Sequence, residues 1–266
     1  MERIGIIGTG NMGEAIIRAL LETGFEKERI GFSEISKLKS KYIKEKYSIK
    51  EYALLKELTD FSKYLVIAVK PQDAKDVLKN LTSHIRDKHV ILSIMAGVSI
   101  SAILSIIGQG TKVIRAMPNL CVKVREGVIG ICRNEIVGDD EFEYVKKLFS
   151  GMGMVVEIKE ELFDAITAFA GSGPAFFLFF LEGMIDAGVK LGFSRQITLE
   201  MAEKILSGTL TLLKSEATHP SILKERITSP GGTTIAGLTE LEDRAVKGAV
   251  IKAFEVACRR SKELSQ

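Results

Sequence analysis

The sequence predicts an α/β chain in two parts: a doubly wound parallel sheet over residues 1–158, then an all-α helical half over residues 159–266. Three observations predict it. Short apolar runs alternate with helical ones as far as residue 158. A glycine-rich turn follows the first apolar run and opens the first helix. After about residue 159 the β signal vanishes.

The strand runs, in order, are RIGIIG at 3–8, RIGFSE at 29–34, YLVIAVK at 64–70, HVILSIM at 89–95, KVIRAM at 112–117, VIGICR at 128–133 and MVVEIK at 154–159. Most are continuously apolar, as strands covered on both faces of a parallel sheet should be. Between the first two, Asn11 to Thr23 reads as a helix, with Asn11 as N-cap and Gly24 as the C-terminal stop. Strand, helix and strand repeated in this way give the doubly wound arrangement. In the second half, helices are expected over 160–170, 174–190, 195–215, 219–227, 233–241 and 243–263. The helix from Pro174, PAFFLFFLEGMIDAGVK, carries proline in its first turn and is apolar almost all round. So small a helical half can hardly cover such a helix by itself. Burial against a second subunit is expected, the alternative being the centre of a monomeric bundle.

Hydrophobic residues make up 46% of the chain and charged residues 27%, ordinary for a globular protein. The net charge of +3 is mild. Lys37, Lys39, Lys41, Lys44 and Lys46 have the spacing of a solvated helix face, so nucleic acid is not an expected partner. The apolar stretch AFAGSGPAFFLFFL is shorter than the roughly 20 residues of a membrane span. It is expected to be a buried helix, with no membrane partner. Cys121, Cys132 and Cys258 are scattered, which fits buried free thiols in a reducing compartment. With the first strand beginning at residue 3, a cytoplasmic location is expected.

Gly8-Thr9-Gly10-Asn11-Met12-Gly13 matches G-x-G-x-x-G between a strand and a helix, the setting in which that pattern binds a dinucleotide. Gly8 allows the tight turn, Gly10 lets the backbone approach a pyrophosphate, and Gly13 lets helix and strand pack closely. The helix N-terminus offers N–H groups and a positive dipole end to the phosphates. Glu34 ends the second strand, where a carboxylate can accept hydrogen bonds from the ribose hydroxyls and favour NADH. Ser33, Ser36, Lys37 and Lys39 surround it and could instead hold the 2′-phosphate of NADPH. Ala68, Val69, Lys70 and Pro71 end the next apolar strand, where an open sheet places its ligands. Lys70 could meet a phosphate or a substrate carboxylate, or be a solvated lysine in a tight turn. Ala96-Gly97 and Arg115-Ala116-Met117-Pro118-Asn119 end the next two strands and fit a backbone that approaches a nicotinamide edge.

Hydride transfer is the chemistry this layout suggests. Alcohol oxidation needs a positioned base or a metal, yet His84, His89 and His219 are the only histidines. His84 and His89 read as surface residues, and the spacing gives no metal site. A protonated imine already carries its activating charge, so its reduction needs little beyond orientation and a hydrogen-bond partner for nitrogen. Ser229-Pro230-Gly231-Gly232-Thr233-Thr234 opens a helix with several free N–H groups, a cradle for a carboxylate. A threonine hydroxyl there can face a ring nitrogen. A capped inter-helix turn is the plainer reading of the same segment.

The sequence resembles the pyrroline-5-carboxylate reductase family over essentially its whole length. The resemblance is carried by GTGNMGEAI at 8–16, AVKPQ at 68–72, SIMAG at 93–97, RAMPN at 115–119, GSGPAFF at 171–177, DAGVKLG at 186–192 and TSPGGTTIAGL at 228–238. Leu120-Cys121-Val122-Lys123 and Ala170 depart from the family pattern, where smaller residues and a serine are usual. The resemblance implies reduction of 1-pyrroline-5-carboxylate to L-proline with NADPH or NADH. It implies an interlocked homodimer with swapped helical halves, often assembled into a larger ring such as a decamer. It also implies that the backbone of Ser229, Gly231, Gly232 and Thr233 holds the substrate carboxylate. Thr234 would reach the ring nitrogen as the catalytic residue. Gly8 to Gly13, Ser33 to Ser36, Ala68 to Pro71, Ala96 and Gly97 would line the cofactor. A β-hydroxyacid-type dehydrogenase would need lysine at Phe177, and a non-catalytic dinucleotide sensor would not need the SPGGTT segment.

Overall fold

A computed structural model describes residues 2–264. The first part is a mixed sheet of strands β1 Ile4–Ile7, β2 Ile30–Ser33, β3 Lys50–Glu51, β4 Tyr64–Ile67, β5 Val90–Ser93, β6 Lys112–Pro118, β7 Gly127–Arg133 and β8 Gly153–Glu157. Their order is β3-β2-β1-β4-β5-β6-β7-β8. Helices α1 Asn11–Glu22, α2 Lys37–Tyr47, α3 Leu55–Phe61, α4 Ala74–Thr82, α5 Ile100–Ile107 and α6 Asp139–Ser150 connect them. The expected doubly wound α/β fold is the one observed.

Side-chain alternation explains the two layers of helices. Ile4, Ile6, Tyr64, Val66, Val90 and Leu92 feed one core with Ile16, Ile17 and Leu20 of α1 and Phe142, Val145 and Phe149 of α6. Ile7, Leu65, Ile67 and Ile91 feed the opposite core with Leu78 and Leu81 of α4 and Ile103 and Ile107 of α5. Strands buried on both faces have no polar side, which is why their sequences run apolar without a break.

Two features depart from the sequence reading. β3 is an edge strand of only Lys50 and Glu51, paired with Gly31 and Phe32, and its polar residues carry no strand signal. β7 runs antiparallel to β6, with Arg115 opposite Cys132, while β8 is parallel to β7. The reason is chain length: residues 119–126 between β6 and β7 are too few for a parallel crossover, which takes a dozen or more. Apolar periodicity reports a strand and not its direction.

Beyond β8 come turns at Glu160–Leu162, helix α7 Phe163–Ile166 and a wider π-helical stretch Thr167–Ser172, where a plain α-helix was expected. Then follow α8 Gly173–Lys190, α9 Arg195–Glu216, α10 Pro220–Ile227, α11 Thr233–Asp243 and α12 Val246–Leu264. The chain forms two compact units, one of residues up to Gly171 with the segment from Cys258 onward, the other Ser172–Ala257. In the first, the Ser261 hydroxyl donates to Asp164 Oδ1 at 2.6 Å. In the second, Gly188 of α8 lies so near Thr198 of α9 that an added Cβ would stand 2.3 Å from its methyl group. Phe176 and Phe254 meet edge-on at 5.1 Å.

Helix α8 is not the buried helix the sequence suggested, when taken in the single chain. Phe177, Leu178, Phe179 and Phe180 are all exposed, Phe179 at 78%. By length and composition alone, Glu160–Lys190 could cross a membrane. Cys132 is buried and burial pushes its thiol up to about 12, whereas Cys121 and Cys258 are half-buried rather than buried.

Candidate active site

The glycine turn sits at the carboxyl end of β1. Gly8 has φ +86° and donates its N–H to the Ser33 carbonyl at 2.9 Å. A Cβ on Gly13 would stand 2.2 Å from the Gly8 carbonyl oxygen, so helix α1 can approach the turn only with glycine there. A Cβ on Gly10 would meet nothing within 4 Å. The protein itself has no packing need for glycine at position 10.

Gly10, with extended φ and ψ, is the N-cap of α1, and no side chain caps the helix. Asn11 is therefore the first helical residue and not the N-cap expected from its type. The N-terminal N–H groups stay available. Gly24 does end the helix, at φ +83° just past the cap. Thr9 is buried, while Met12 is half-buried beside the core.

Glu34 is bound to the turn. Its Oε2 accepts from both the N–H and the hydroxyl of Thr9 at 2.8 Å, and its Oε1 accepts from Ser36 N–H at 2.9 Å. Burial would raise the carboxyl, but the hydrogen bonds from Ser36 and Thr9 outweigh it and hold Glu34 below the usual carboxylate range. Two carboxylate oxygens offer about four acceptor positions. Three are filled, which leaves one on Oε1. Ser36 also caps α2 by accepting from Lys39 N–H at 3.4 Å. Lys37 and Lys39 are exposed.

Ala68 and Val69 follow β4, and Ala68 N–H is bound to the Ile7 carbonyl at 2.8 Å, which sets that loop beside the glycine turn. Lys70 and Pro71 are exposed at the start of the next turn. After β5, Ala96 is exposed and Gly97 adopts φ +74°. Gly8 to Gly13, Ser33, Glu34, Ser36, Ala68 to Pro71, Ala96 and Gly97 thus share one edge of the sheet, at the carboxyl ends of β1, β2, β4 and β5.

Ser229 to Thr234 belong to the helical unit. Gly231 has φ +67°, Gly232 donates to the Ser229 carbonyl at 3.1 Å, and Gly232 is the N-cap of α11 with no side-chain cap. Ser229, Gly231 and Thr233 are exposed and Gly232 and Thr234 half-buried. The first N–H groups of α11 are left to bind an anion.

His89 corrects an expectation: it is buried, at 1% exposure, and not a surface residue. Its Nδ1 accepts from Arg86 N–H at 2.8 Å and its Nε2 faces the Thr59 carbonyl at 3.2 Å. Both ring nitrogens are satisfied only by the neutral ring, so it is a structural group. His219 is the N-cap of α10. The sequence placed Asn119 at a strand end but did not show that it is buried, its side chain accepting from Val128 N–H and donating to the Ala170 carbonyl. Nor did it show that Arg115 of the same segment binds Glu160, 45 positions away.

An open, mostly parallel sheet with a glycine turn, an uncapped helix and an anchored acidic residue at its ligand edge defines a dinucleotide-dependent oxidoreductase with a separate helical unit. In keeping with it, residues 3–97 match the family described as NADP oxidoreductase coenzyme F420-dependent, and residues 160–264 match pyrroline-5-carboxylate reductase dimerisation. The chain belongs to the pyrroline-5-carboxylate reductase family. It is 37% identical to the enzyme of that name from Synechocystis sp., over 99% of this chain and 98% of the relative. It is 38% identical to the one from Aquifex aeolicus, over 98% and 97%. A crystal structure of pyrroline carboxylate reductase from Plasmodium falciparum with NADP bound superposes with a TM-score of 0.91 at 32% identity, covering 100% of this chain and 98% of that one.

Proposed function

We propose that this chain reduces 1-pyrroline-5-carboxylate to L-proline with NADPH or NADH, the last step of proline biosynthesis. The observation that carries the reading is that each unit has an uncapped helix N-terminus behind a glycine turn: α1 behind Gly8–Gly10 and α11 behind Gly231–Gly232. One suits a pyrophosphate and the other a carboxylate.

The cofactor is held by Gly8 to Gly13 against the phosphates, by Glu34 at the ribose, and by Ala68 to Pro71, Ala96 and Gly97 farther along. When bound, the reduced nicotinamide supplies the hydride. Ser229, Gly231, Gly232 and Thr233 hold the substrate carboxylate through backbone N–H groups, and the Thr234 hydroxyl faces the ring nitrogen. Thr234 accepts from the protonated imine and can donate to the amine that replaces it. No stronger acid or base is required, because the imine carries its own charge.

The chain functions as a homodimer whose helical halves interlock, assembled further into a ring such as a decamer, in the cytoplasm. The open apolar face of α8 supports a second copy as its cover, and the absence of a basic run in the sequence argues against nucleic acid. The test is loss of reduced-nicotinamide absorbance with pyrroline-5-carboxylate, run in parallel with NADH and NADPH. Turnover with either supports the reading. Cofactor binding without turnover would replace it with a sensor or with another imine.

A further inference from the structure

We infer that Arg115 is a positioning residue, which acts through Glu160 to hold the turn Ile94–Ser99 where the nicotinamide end of the cofactor is presented. The inference rests on the proposed placement of Gly97 beside the cofactor.

Arg115 lies in the middle of β6, in register with Ser93 at the end of β5 on one side and Cys132 on the other. It is 6% exposed, an unusual place for a cation. Its guanidinium stacks over the Phe163 ring at 4.3 Å, and one terminal nitrogen donates to Glu160 Oε1 at 2.9 Å. Among the described residues, the Nε–H has no hydrogen-bond partner. An apolar side chain would fill this strand position without a buried charge or an unpaired donor, either of which is costly. What the cation does, and an apolar residue could not, is fix Glu160.

Glu160 in turn fixes the turn. The same Oε1 accepts from Ile100 N–H at 2.7 Å, the first N–H of α5. The segment from Ile94 to Ser99 is thus pinned at both ends, by Ile94 N–H on the Ile67 carbonyl and by Ile100 N–H on Glu160. Between them Gly97, at φ +74°, faces a cavity of about 340 Å³ shared with Ser99, Arg115, Glu160, Glu161, Phe163 and Asp164. Three carboxylates and one cation line that space. Without Arg115 the carboxylates repel one another, and Glu160, 34% exposed on its side chain, is drawn toward water.

The register of β8 brings the two residues within reach. Glu157 pairs with Ile131, which pairs with Ala116, the neighbour of Arg115. The chain therefore leaves β8 level with the end of β5, and three residues later Glu160 meets the ligand edge.

The test uses the full chain with Arg115→Met, Arg115→Lys and Glu160→Gln, and compares binding of NADH with binding of ADP-ribose, which lacks the nicotinamide. Arg115→Met and Glu160→Gln should weaken NADH severalfold and leave ADP-ribose unchanged. In turnover they should lower kcat by up to about a hundredfold, the scale of a reacting group misplaced by about 1 Å, and raise the isotope effect of 4-deuterated NADH, with partial recovery in Arg115→Lys. A lower melting temperature with both ligands shifted together, or neither shifted, would overturn the positioning role. Should Arg115→Met not fold, Glu160→Gln decides, since it keeps the shape of the side chain but gives up the charge by which Arg115 holds it. The binding comparison needs no imine, so its failure is separate from absent turnover in the unaltered chain. If that chain binds neither ligand, the inference and the cofactor reading fall together.

Discussion

At the scale of residues, the glycine turn makes a prediction that separates folding from binding. Gly13→Ala places a Cβ 2.2 Å from backbone and should cost about 1–3 kcal/mol as an overpacked contact, read as a lower melting temperature. Gly10→Ala adds its methyl group to open space, so stability should hold while cofactor affinity falls. Equal effects of the two on stability would remove the distinction. Thr234→Ala should lose one hydrogen bond to a charged group, about 1.5–3 kcal/mol or some ten- to hundredfold in turnover. Cofactor binding should stay nearly intact, and an undiminished rate at saturating imine would take Thr234 out of the mechanism. Glu34→Ala should raise the Michaelis constant for NADH more than that for NADPH, because Glu34 keeps one acceptor position and a fixed negative charge at the ribose. If both constants rise together, its hold on Thr9 is the dominant role.

Among the elements, α3 and the entry to β5 share a pH-sensitive joint. Burial, then the charge of Lys88, holds His89 below its ordinary value of 6.5. The unfolded chain therefore binds that proton more tightly, and stability rises with pH wherever it does so. The stability that depends on neutral His89 is complete above about pH 6.5 and is lost as pH drops toward the lowered folded value. Thermal unfolding followed from pH 7.5 to 5 should show this decline, and His89→Gln should flatten it. The same joint illustrates what was legible in the sequence. Most strands and helices were, since their periodicity is local: Pro174 marked the start of α8 and Gly24 the end of α1, while the short polar β3 and the π-helical Thr167–Ser172 were not. The burial of His89 was not, because it depends on the Thr59 carbonyl, thirty positions away. The direction of β7 escaped for a related reason, although the shortness of residues 119–126 was there to be read. The glycine turn was found because its spacing carries its geometry, whereas the contact of Arg115 with Glu160 has no local pattern.

For the whole molecule, the proposed homodimer assigns the apolar side chains of α8 to the interface. Burying one phenylalanine contributes about 1.5–3 kcal/mol, and Phe177, Phe179 and Phe180 stand open together. Phe179→Asp should therefore shift the sedimentation mass toward the monomer. A mass unchanged from that of the parent chain would place the interface elsewhere.

The first compact unit both begins and ends the chain, because the segment from Cys258 returns to it and Ser261 binds Asp164. During synthesis this unit cannot be completed when its sheet has emerged. It waits, with Asp164 lacking its hydroxyl, until the whole helical unit has been translated and the last turns of α12 leave the ribosome. Domains fold as units from the N-terminus as they appear; here the unit that starts first is completed only after the helical unit, when Ser261 reaches Asp164.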